Sequence, residues 1–247
     1  MRKNKLGNLV YGIYPVKHLL EKRPSSISNA KILSNTKSKL LISINDVLKK
    51  NNIKTDLVSR SELDHLSGSV NHQGILLFTQ NSNQPTINDL ESLAISRGKD
   101  FKALILDGIQ DPRNLGACIR TADAAGIDAV IITKNRSANM TPAAVKSAAG
   151  ANESIMVVKV TNLANTIRFL KDLGVEIVGT DISASSSVFD HSLSSPIAVV
   201  LGSEGKGIRR LTRDLCDKLI YIPMHGEVSS LNVSVATGVI LYKINID

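Results

Sequence analysis

The feature that most constrains the fold is a series of short, mostly apolar segments that alternates with helical patterns from residue 101 onward. These segments are residues 103–106, 129–132, 155–158, 176–179, 197–201 and 219–222. Apolar strands between helices are typical of a parallel sheet that is covered by helices on both faces. Such sheets bind ligands beyond the carboxyl ends of their strands. The sequence therefore predicts an α/β fold and directs attention to the residues after each strand.

The first 80 residues predict a smaller alternating α/β unit. Helices fit residues 15–23, 39–50 and 61–63, and strands fit residues 32–33, 53–58 and 74–79. Residues 81–86 are polar turn formers without periodicity, and a weak helix at residues 87–95 follows them. We therefore divide the chain into a domain of residues 1–80, a linker of residues 81–98 and a domain of residues 99–247.

Positive charge is concentrated in the first part of the chain. Residues 1–98 contain 14 Lys and Arg against 7 Asp and Glu, a net charge of +7, whereas residues 99–247 contain 16 against 15, a net charge of +1. Nucleic acids bind basic surfaces through phosphate contacts and counterion release, so the first part is predicted to contact nucleic acid. A basic surface that serves only solubility is the alternative.

Several classes of protein are disfavoured by composition. No apolar run approaches the ~20 residues that span a bilayer, and the basic start of the chain is not followed by the apolar segment of a signal peptide. We expect a cytoplasmic protein without a membrane segment. Cys118 and Cys216 form no paired motif and are expected to be reduced thiols. No cluster of His and Cys has metal-ligand spacing, so no metal is expected.

The loop after the first apolar strand of the second domain leads into a well-marked helix. Asp111 and Pro112 suit the N-cap and the first helical position. Arg113 and Arg120 are seven residues apart and share one face, which could hold a phosphate or could simply be solvated. Asn114 lies in the first turn, where its amide either points into a cleft or caps its neighbours.

A glycine-rich loop at residues 202–207 follows another apolar strand. Three glycines in six residues permit positive φ and a close approach of backbone to a ligand. The spacing fits neither a P-loop nor a dinucleotide-binding fingerprint, which disfavours ATPase and ordinary NAD-dependent chemistry. Glu204 is the one carboxylate in the loop, and an exposed surface acid is its simplest interpretation.

The third segment covers residues 222–234. Ser229 suits the N-cap of a final helix that reaches about residue 243. Ser230 and Asn232 could themselves be capping residues. Each of the three segments alone is weak support for a function.

Taken together, the three segments resemble the motifs of the SpoU (TrmH-type) branch of the SPOUT methyltransferases. The matching stretches read NLGACIRTADAAG at 114–126, LGSEGKG at 201–207 and IPMxGxVSSLNVSVATG at 222–238. The first domain, with VYGI at 10–13 and NHQG at 71–74, resembles the ribosomal-protein-like substrate-binding domain of that family.

The resemblance implies a fold and a cofactor that periodicity cannot reveal. It implies a deep trefoil knot in the second domain, a homodimer formed through that domain and S-adenosylmethionine as cofactor, with neither metal nor membrane. The positions that match cofactor contacts are Gly202, Ile222 and Leu231. The positions that match functional polar or catalytic residues are Asn114, Arg120, Glu204, Ser230 and Asn232.

The implied reaction is transfer of a methyl group from S-adenosylmethionine to a ribose 2′-hydroxyl of RNA. Within the family, the likeness is to members that methylate a guanosine of 23S rRNA. Because a guanidinium has a pKa above ~12, we expect Arg120 to clamp a phosphate or the developing alkoxide and leave the general base open. The alternatives are the same reaction on tRNA or another rRNA nucleotide, a non-catalytic ribosome-binding factor, and a nucleotide-binding enzyme without a role on RNA.

Overall fold

The structure is a computed structural model that describes residues 9–68, 71–79, 84–190 and 192–246. Its strands form two separate sheets, one before residue 80 and one after residue 101. The basic start of the chain and residues 81–83 of the predicted linker lie outside the described residues.

The first sheet has four strands and is flanked by three helices. The elements are β1 (Leu9–Tyr11), α1 (Ile13–Lys22), β2 (Ile27–Leu33), α2 (Lys39–Lys50), β3 (Thr55–Val58), α3 (Arg60–Ser67) and β4 (Ile75–Thr79). The strand order is β1-β4-β2-β3, in which β2 and β3 are parallel and β4 is antiparallel to both of its neighbours. The sequence did not predict β1, because three residues are too few to show an alternating pattern.

Alternation along β4 explains why this sheet is covered on both faces. Ile75 and Leu77 point to the face that α1 and α2 cover, while Leu76 points to the face that α3 covers through Leu63. Successive side chains of a strand point to opposite faces, so an unbroken apolar strand needs partners on both sides. Three helices around four short strands supply these partners.

The second sheet has seven strands. The elements are α4 (Ile87–Arg97), β5 (Lys102–Asp107), α5 (Pro112–Ala124), β6 (Ala129–Thr133), α6 (Pro142–Ala148), β7 (Met156–Val160), α7 (Leu163–Asp172), β8 (Glu176–Thr180), β9 (Ser186–Ser187), β10 (Ile197–Gly202), α8 (Arg210–Asp214), β11 (Lys218–Tyr221) and α9 (Val233–Ile244). Every strand pair in it is parallel. The predicted α/β fold with a parallel sheet is confirmed.

The strand order of the second sheet is β7-β6-β5-β10-β8-β11-β9. This order places β10 beside β5, so that residue 202 pairs with residue 107 although 95 positions separate them (202 − 107). The carboxyl ends of β5, β10, β8 and β11 consequently lie along one edge. The loops that the sequence singles out all leave from that edge.

Helices cover both faces of this sheet. Leu104 and Leu106 of β5 pack in one core with α5, α6 and α9, whereas Ala103 and Ile105 pack in the other core with α4 and α7. The helix α4, which the sequence analysis assigned to a linker, packs on the second sheet through Leu90 and Ala94. No helix in the described ranges is long and apolar enough to cross a membrane.

The two halves of the chain contact each other through α1. Its His18 lies against Gly150, where a Cβ atom would come within 2.9 Å of the His18 Cβ. Arg23, just after α1, forms an ion pair with Glu153. The basic first sheet is thereby attached beside β7, since residues 151–153 pack against both α1 and β7.

The final helix begins later than the sequence predicted. Ser229 was expected to be its N-cap, but α9 starts at Val233 and Asn232 is the N-cap, with Oδ1 accepting from the backbone N–H of Ser234 over 2.9 Å. Asn and Ser are equally good N-caps, so local preference alone cannot choose between these positions. Residues 229–231 instead line a cleft, as described below.

Gly116 allows α5 and α6 to pack in direct contact, which makes it a test of this arrangement. A Cβ at Gly116 would lie 2.2 Å from the carbonyl oxygen of Ala144 and 2.9 Å from the backbone nitrogen of Ala148. We expect Gly116→Ala to lower the free energy of unfolding by about 3 kcal/mol, because overpacking against backbone outweighs the gain of ~1 kcal/mol in helix propensity. Chemical denaturation measures this difference.

Gly238 of α9 provides the matched control. Its added Cβ would only touch Thr121 at 3.8 Å, an ordinary van der Waals distance. Gly238→Ala should leave the free energy of unfolding unchanged or raise it by up to about 1 kcal/mol. Equal effects of the two substitutions would show that α5 and α6 are not as close as described.

Candidate active site

Polar side chains from three distant segments meet at the carboxyl edge of the second sheet. The Nδ2 atoms of Asn114 and Asn232 both donate to Oε1 of Glu204, each over 2.9 Å. Nδ2 of Asn232 also donates to Oδ1 of Asn114 over 3.1 Å. These three residues, which we call the amide–carboxylate cluster, form a closed ring of hydrogen bonds around one carboxylate oxygen.

The ends of two helices position the asparagines. Asn114 lies in the first turn of α5, which starts where Asp111 accepts from the backbone N–H of Arg113 over 2.8 Å and Pro112 fixes the first φ. Asn232 caps α9 with its oxygen, which leaves its amide nitrogen available for Glu204. The capping role that the sequence left open for Asn232 is therefore compatible with its place in the cluster.

The glycine loop, residues 202–207, folds back on itself directly after β10. Ser203 and Gly207 exchange backbone hydrogen bonds of 3.1 and 2.9 Å. A Cβ at Gly202 would lie only 1.9 Å from the carbonyl carbon of Gly207. Because no side chain fits there, glycine at position 202 is required for the loop to close and to present Glu204 to the cluster.

A buried carboxylate ties the end of the glycine loop to β5. Asp107, the last residue of β5, is 1% exposed, and its Oδ2 accepts from the backbone N–H of Arg209 over 3.0 Å. Its Oδ1 lies 3.3 Å from Nη1 of Arg209, an ion-pair separation without the alignment of a hydrogen bond. Gly108 leaves room for this guanidinium, because a Cβ there would lie 3.2 Å from Nη2.

A cleft of about 480 Å³ opens beyond the carboxyl ends of β8, β10 and β11. Its volume lies within the range of ~300–1,000 Å³ that is typical of small-molecule sites. Three positions that the resemblance assigned to the cofactor, Gly202, Ile222 and Leu231, all line it. Glu204 and Ser230 line it too, so the cluster stands at the border of this cleft.

Arg120 is placed differently from the other predicted site residues. It is exposed on the outer face of α5 and does not line the cleft. Among the residues described here, it has no hydrogen-bond or ion-pair partner. The structure therefore brings seven of the eight predicted site residues to the cleft or the cluster and leaves Arg120 outside both.

Neither cysteine suits nucleophilic chemistry. Burial raises the pKa of Cys118 to about 11 and that of Cys216 to about 12, so both thiols stay protonated near neutral pH. Cys118 accepts a hydrogen bond from the Thr237 hydroxyl over 3.3 Å, and both cysteines are free of disulfides. In the described parts of the chain, no three His, Cys, Asp or Glu residues are grouped so that they could hold a metal ion.

Sequence reasoning missed the residues that support the site. Asp107 and Arg209 were not singled out, although a carboxylate at the end of an apolar strand is a signal that its charge is compensated. The far wall of the cleft holds a second pair, in which Arg213 contacts Asp181 at 3.1 Å and donates to the Ser183 hydroxyl over 3.1 Å. These partners lie 30 or more positions apart, so only the fold reveals them.

Replacing Asp107 tests whether its contact with Arg209 keeps the glycine loop ordered. Asp107→Asn keeps an oxygen for the backbone N–H of Arg209 but removes the charge that faces the guanidinium. We expect the free energy of unfolding to fall by about 2 kcal/mol, the usual scale for hydrogen bonds to charged groups. Amide hydrogen exchange in residues 203–208 should also become faster.

Glu176→Gln is the matched control, because it breaks the more exposed Glu176–Lys218 pair by the same change of acid to amide. Exposed ion pairs contribute under ~1 kcal/mol, so this variant should stay near wild type. If both variants lose the same stability and the exchange of the loop amides stays unchanged, Asp107 does not hold the glycine loop.

Two protein families and a well-covered relative match this chain. The SpoU rRNA Methylase family matches residues 102–242, and the RNA 2′-O ribose methyltransferase substrate-binding family matches residues 9–85. The 23S rRNA (guanosine-2′-O-)-methyltransferase RlmB of Escherichia coli (strain K12) is 44% identical over 238 residues, which are 96% of this chain and 98% of that protein.

Solved structures share the fold. The SpoU methyltransferase AviRb from Streptomyces viridochromogenes superposes with a TM-score of 0.81 at 24% identity, over 96% of this chain and 88% of that one. Its complex with the cofactor AdoMet gives 0.80 at 24% identity, over 97% and 94%. With its catalytic half matched by one family and its first sheet by the companion substrate-binding family, the chain belongs to the SpoU rRNA methylase family.

Proposed function

We propose that this protein transfers a methyl group from S-adenosylmethionine to the 2′-hydroxyl of a guanosine ribose in 23S rRNA. The observation that carries the proposal is the amide–carboxylate cluster at the border of the cleft, built from the three segments that define the family. The RlmB relative has this reaction in its name and matches the chain almost end to end. A substrate in 23S rRNA places the activity in the cytoplasm.

The volume of the cleft and the residues that line it support S-adenosylmethionine as its ligand. Gly202, Ile222 and Leu231 line it and would hold the cofactor, largely through backbone groups. The absence of a side chain at residue 202 keeps the strand end open to a ligand. When bound, S-adenosylmethionine supplies a methyl group on a positively charged sulfur.

The cluster would orient the ribose at the border of the cleft. Oε1 of Glu204 is occupied by both asparagine amides, and these fix the carboxylate in one orientation. Within the described residues Oε2 has no hydrogen-bond partner, so it can accept from a ribose hydroxyl. Ser230 lines the same cleft and offers a hydroxyl to the bound nucleotide. Positioning of this kind is a large part of catalysis when two reactants must meet in one geometry.

A homodimer would explain the position of Arg120. The outer face of α5, with Arg113, Ala117, Arg120 and Ala124, lies beside α9, whose Val235 and Tyr242 are each 51% exposed. Exposed apolar side chains on adjoining helices are typical of a protein interface. If a second copy packed on this face, Arg120 would approach the cleft of that copy. There it would clamp a phosphate or the developing alkoxide.

The family relationship also implies a trefoil knot in the second domain. The chain leaves β11, passes the cleft at residues 222–231 and then packs α9 on α5, close to the glycine loop that precedes β11. This course is compatible with threading of the last segment through a loop. Knots are otherwise almost absent from proteins.

The reaction is tested with radiolabelled S-adenosylmethionine and unmodified 23S rRNA, followed by digestion to nucleosides. We expect label in 2′-O-methylguanosine. Label in another 2′-O-methylnucleoside, or label only when tRNA is supplied, would contradict the proposed substrate. If no RNA is labelled while RNA binding persists, the protein is a non-catalytic ribosome-binding factor.

Arg120→Ala tests the role of the exposed arginine. We expect cofactor affinity within about twofold of wild type and turnover lower by about 100-fold or more, the scale for losing one preorganised charge at a reacting oxygen. Arg168→Ala, on the exposed face of α7, is the matched control and should keep wild-type turnover. Equal activity of the Arg120 variant and wild type would remove Arg120 from the site.

Val235→Glu tests the proposed interface. A charge on this half-exposed residue of α9 should convert a dimer into a monomer in sedimentation velocity. Leu57→Glu, at an exposed position of β3, is the control and should leave the sedimentation coefficient unchanged. A wild-type protein that sediments as a monomer at assay concentrations would contradict the dimer.

A further inference from the structure

Three cations lie at the carboxyl ends of β6 and β7. Lys134 and Arg136 follow β6, and Lys159 is the fourth residue of β7. In the described portion of the chain, none of them forms an ion pair with a carboxylate. The second domain has a net charge of only +1 over residues 99–247 (16 − 15), so this is a local concentration of positive charge.

Lys134 and Lys159 are close enough to repel each other. The backbone N–H of Lys134 donates to the carbonyl of Val160 over 2.8 Å, which places the exit of β6 against the end of β7. Burial, and then the charge of Lys134, lower the pKa of Lys159 below its usual range. Two neighbouring cations without a counter-charge are unfavourable in the free protein, and a bound anion would relieve that cost.

The loop after β6 holds Arg136 in a fixed, unusual conformation. Arg136 has φ +57°, a left-handed value that costs energy for a residue with a side chain. The loop is fixed by the Thr133–Ser137 hydroxyl contact and by Ala138, whose N–H donates to the carbonyl of Ile109 over 2.6 Å. The exposed guanidinium therefore projects from an anchored loop.

The next cation along the edge is Arg209. A Cβ at Gly108 would lie 3.2 Å from Nη2 of Arg209 and 3.8 Å from the carbonyl oxygen of Arg136, so Gly108 lies between the two arginines. Arg209 is already paired with Asp107, yet its side chain is 44% exposed and can still donate outward. Beyond it lies the glycine loop with Glu204.

These cations follow the order of the strands. Along the neighbouring strands β7, β6, β5 and β10, Lys159 lies at the end of β7, and Lys134 and Arg136 follow β6. Gly108 follows β5, and Arg209 comes after the glycine loop that follows β10. Three strand spacings of ~4.8 Å give a line of roughly 14 Å. Its β10 end reaches the glycine loop, whose Glu204 belongs to the amide–carboxylate cluster.

We propose that Lys159, Lys134, Arg136 and Arg209 form a cation track that binds the sugar–phosphate backbone of the substrate RNA beside the amide–carboxylate cluster. This inference rests on the proposed function and adds the path of the substrate to it. Phosphate contacts fix the register of a nucleic acid without reading its sequence, which is what delivery of one ribose to a fixed site requires. The arginine fork suits phosphate oxygens in particular.

The test is the salt dependence of RNA binding by the variant K134Q/R136Q. Each lost phosphate contact reduces the slope of log K against log salt by about 0.7 for single-stranded and 0.9 for duplex nucleic acid. We expect the slope to become shallower by about 1.4 to 1.8. Between 50 and 200 mM salt, the wild type should then lose about tenfold more affinity for a 23S rRNA fragment than the variant does.

The matched control is K99Q/R168Q, which removes the same charge from exposed positions away from this edge. It should keep the wild-type slope and turnover. The conservative variant K134R/R136K should restore the slope, because it keeps both charges. Calorimetry with S-adenosylmethionine alone should give the same affinity for K134Q/R136Q as for wild type, which shows that the cleft is intact.

These measurements distinguish a failure of the cation track from a failure of the proposed function. If wild type methylates 23S rRNA but K134Q/R136Q has the same salt slope as K99Q/R168Q, the track is wrong and the proposed function stands. If wild type neither binds nor methylates the RNA, both are wrong. A slope that falls equally in the track variant and in the control would reflect total charge alone and would also overturn the track.

Discussion

The shared oxygen of Glu204 is the contact on which the site depends. Two asparagine amides can reach it only if the ends of β5, β10 and β11 and the starts of α5 and α9 are brought to one edge of the sheet. A hydrogen bond tolerates errors of only a few tenths of an ångström. Strand order, the fold of the glycine loop and the start of α9 must therefore all be correct for the cluster to form.

The residue that holds the glycine loop in place is more deeply buried than the residues of the site. Asp107 is almost inaccessible and holds the far end of the glycine loop, whereas Glu204, Asn232 and Arg120 are exposed. Exposed polar groups cost little to keep and remain available to a substrate, and the buried pair keeps their positions fixed. The same division holds in the cation track, where Arg136 is exposed on a loop that the buried Ala138 anchors.

Much of this architecture could be predicted from one sequence. Strands that are buried on both faces of a sheet are apolar throughout, as in residues 103–106 and 197–201, and such runs are recognisable without related sequences. Asn114, Glu204 and Asn232 were named by the resemblance to the family, and their segments follow strands whose carboxyl ends are the expected place for a ligand. The start of α9 could not be predicted, since Ser229 and Asn232 are equally good caps and contact with Glu204 is long-range. The position of Arg120 outside the cleft and the Asp107–Arg209 pair likewise depend on partners distant in sequence.

A double-mutant cycle between Asn114→Ala and Asn232→Ala, read out as turnover of RNA methylation, tests the central claim that these segments act as one unit. Residues that share a hydrogen-bond network show coupling of about 0.5–3 kcal/mol. We expect the double variant to be scarcely less active than the worse single variant, because either substitution already opens the ring around Glu204. Losses that multiply, with no coupling between the two positions, would contradict it.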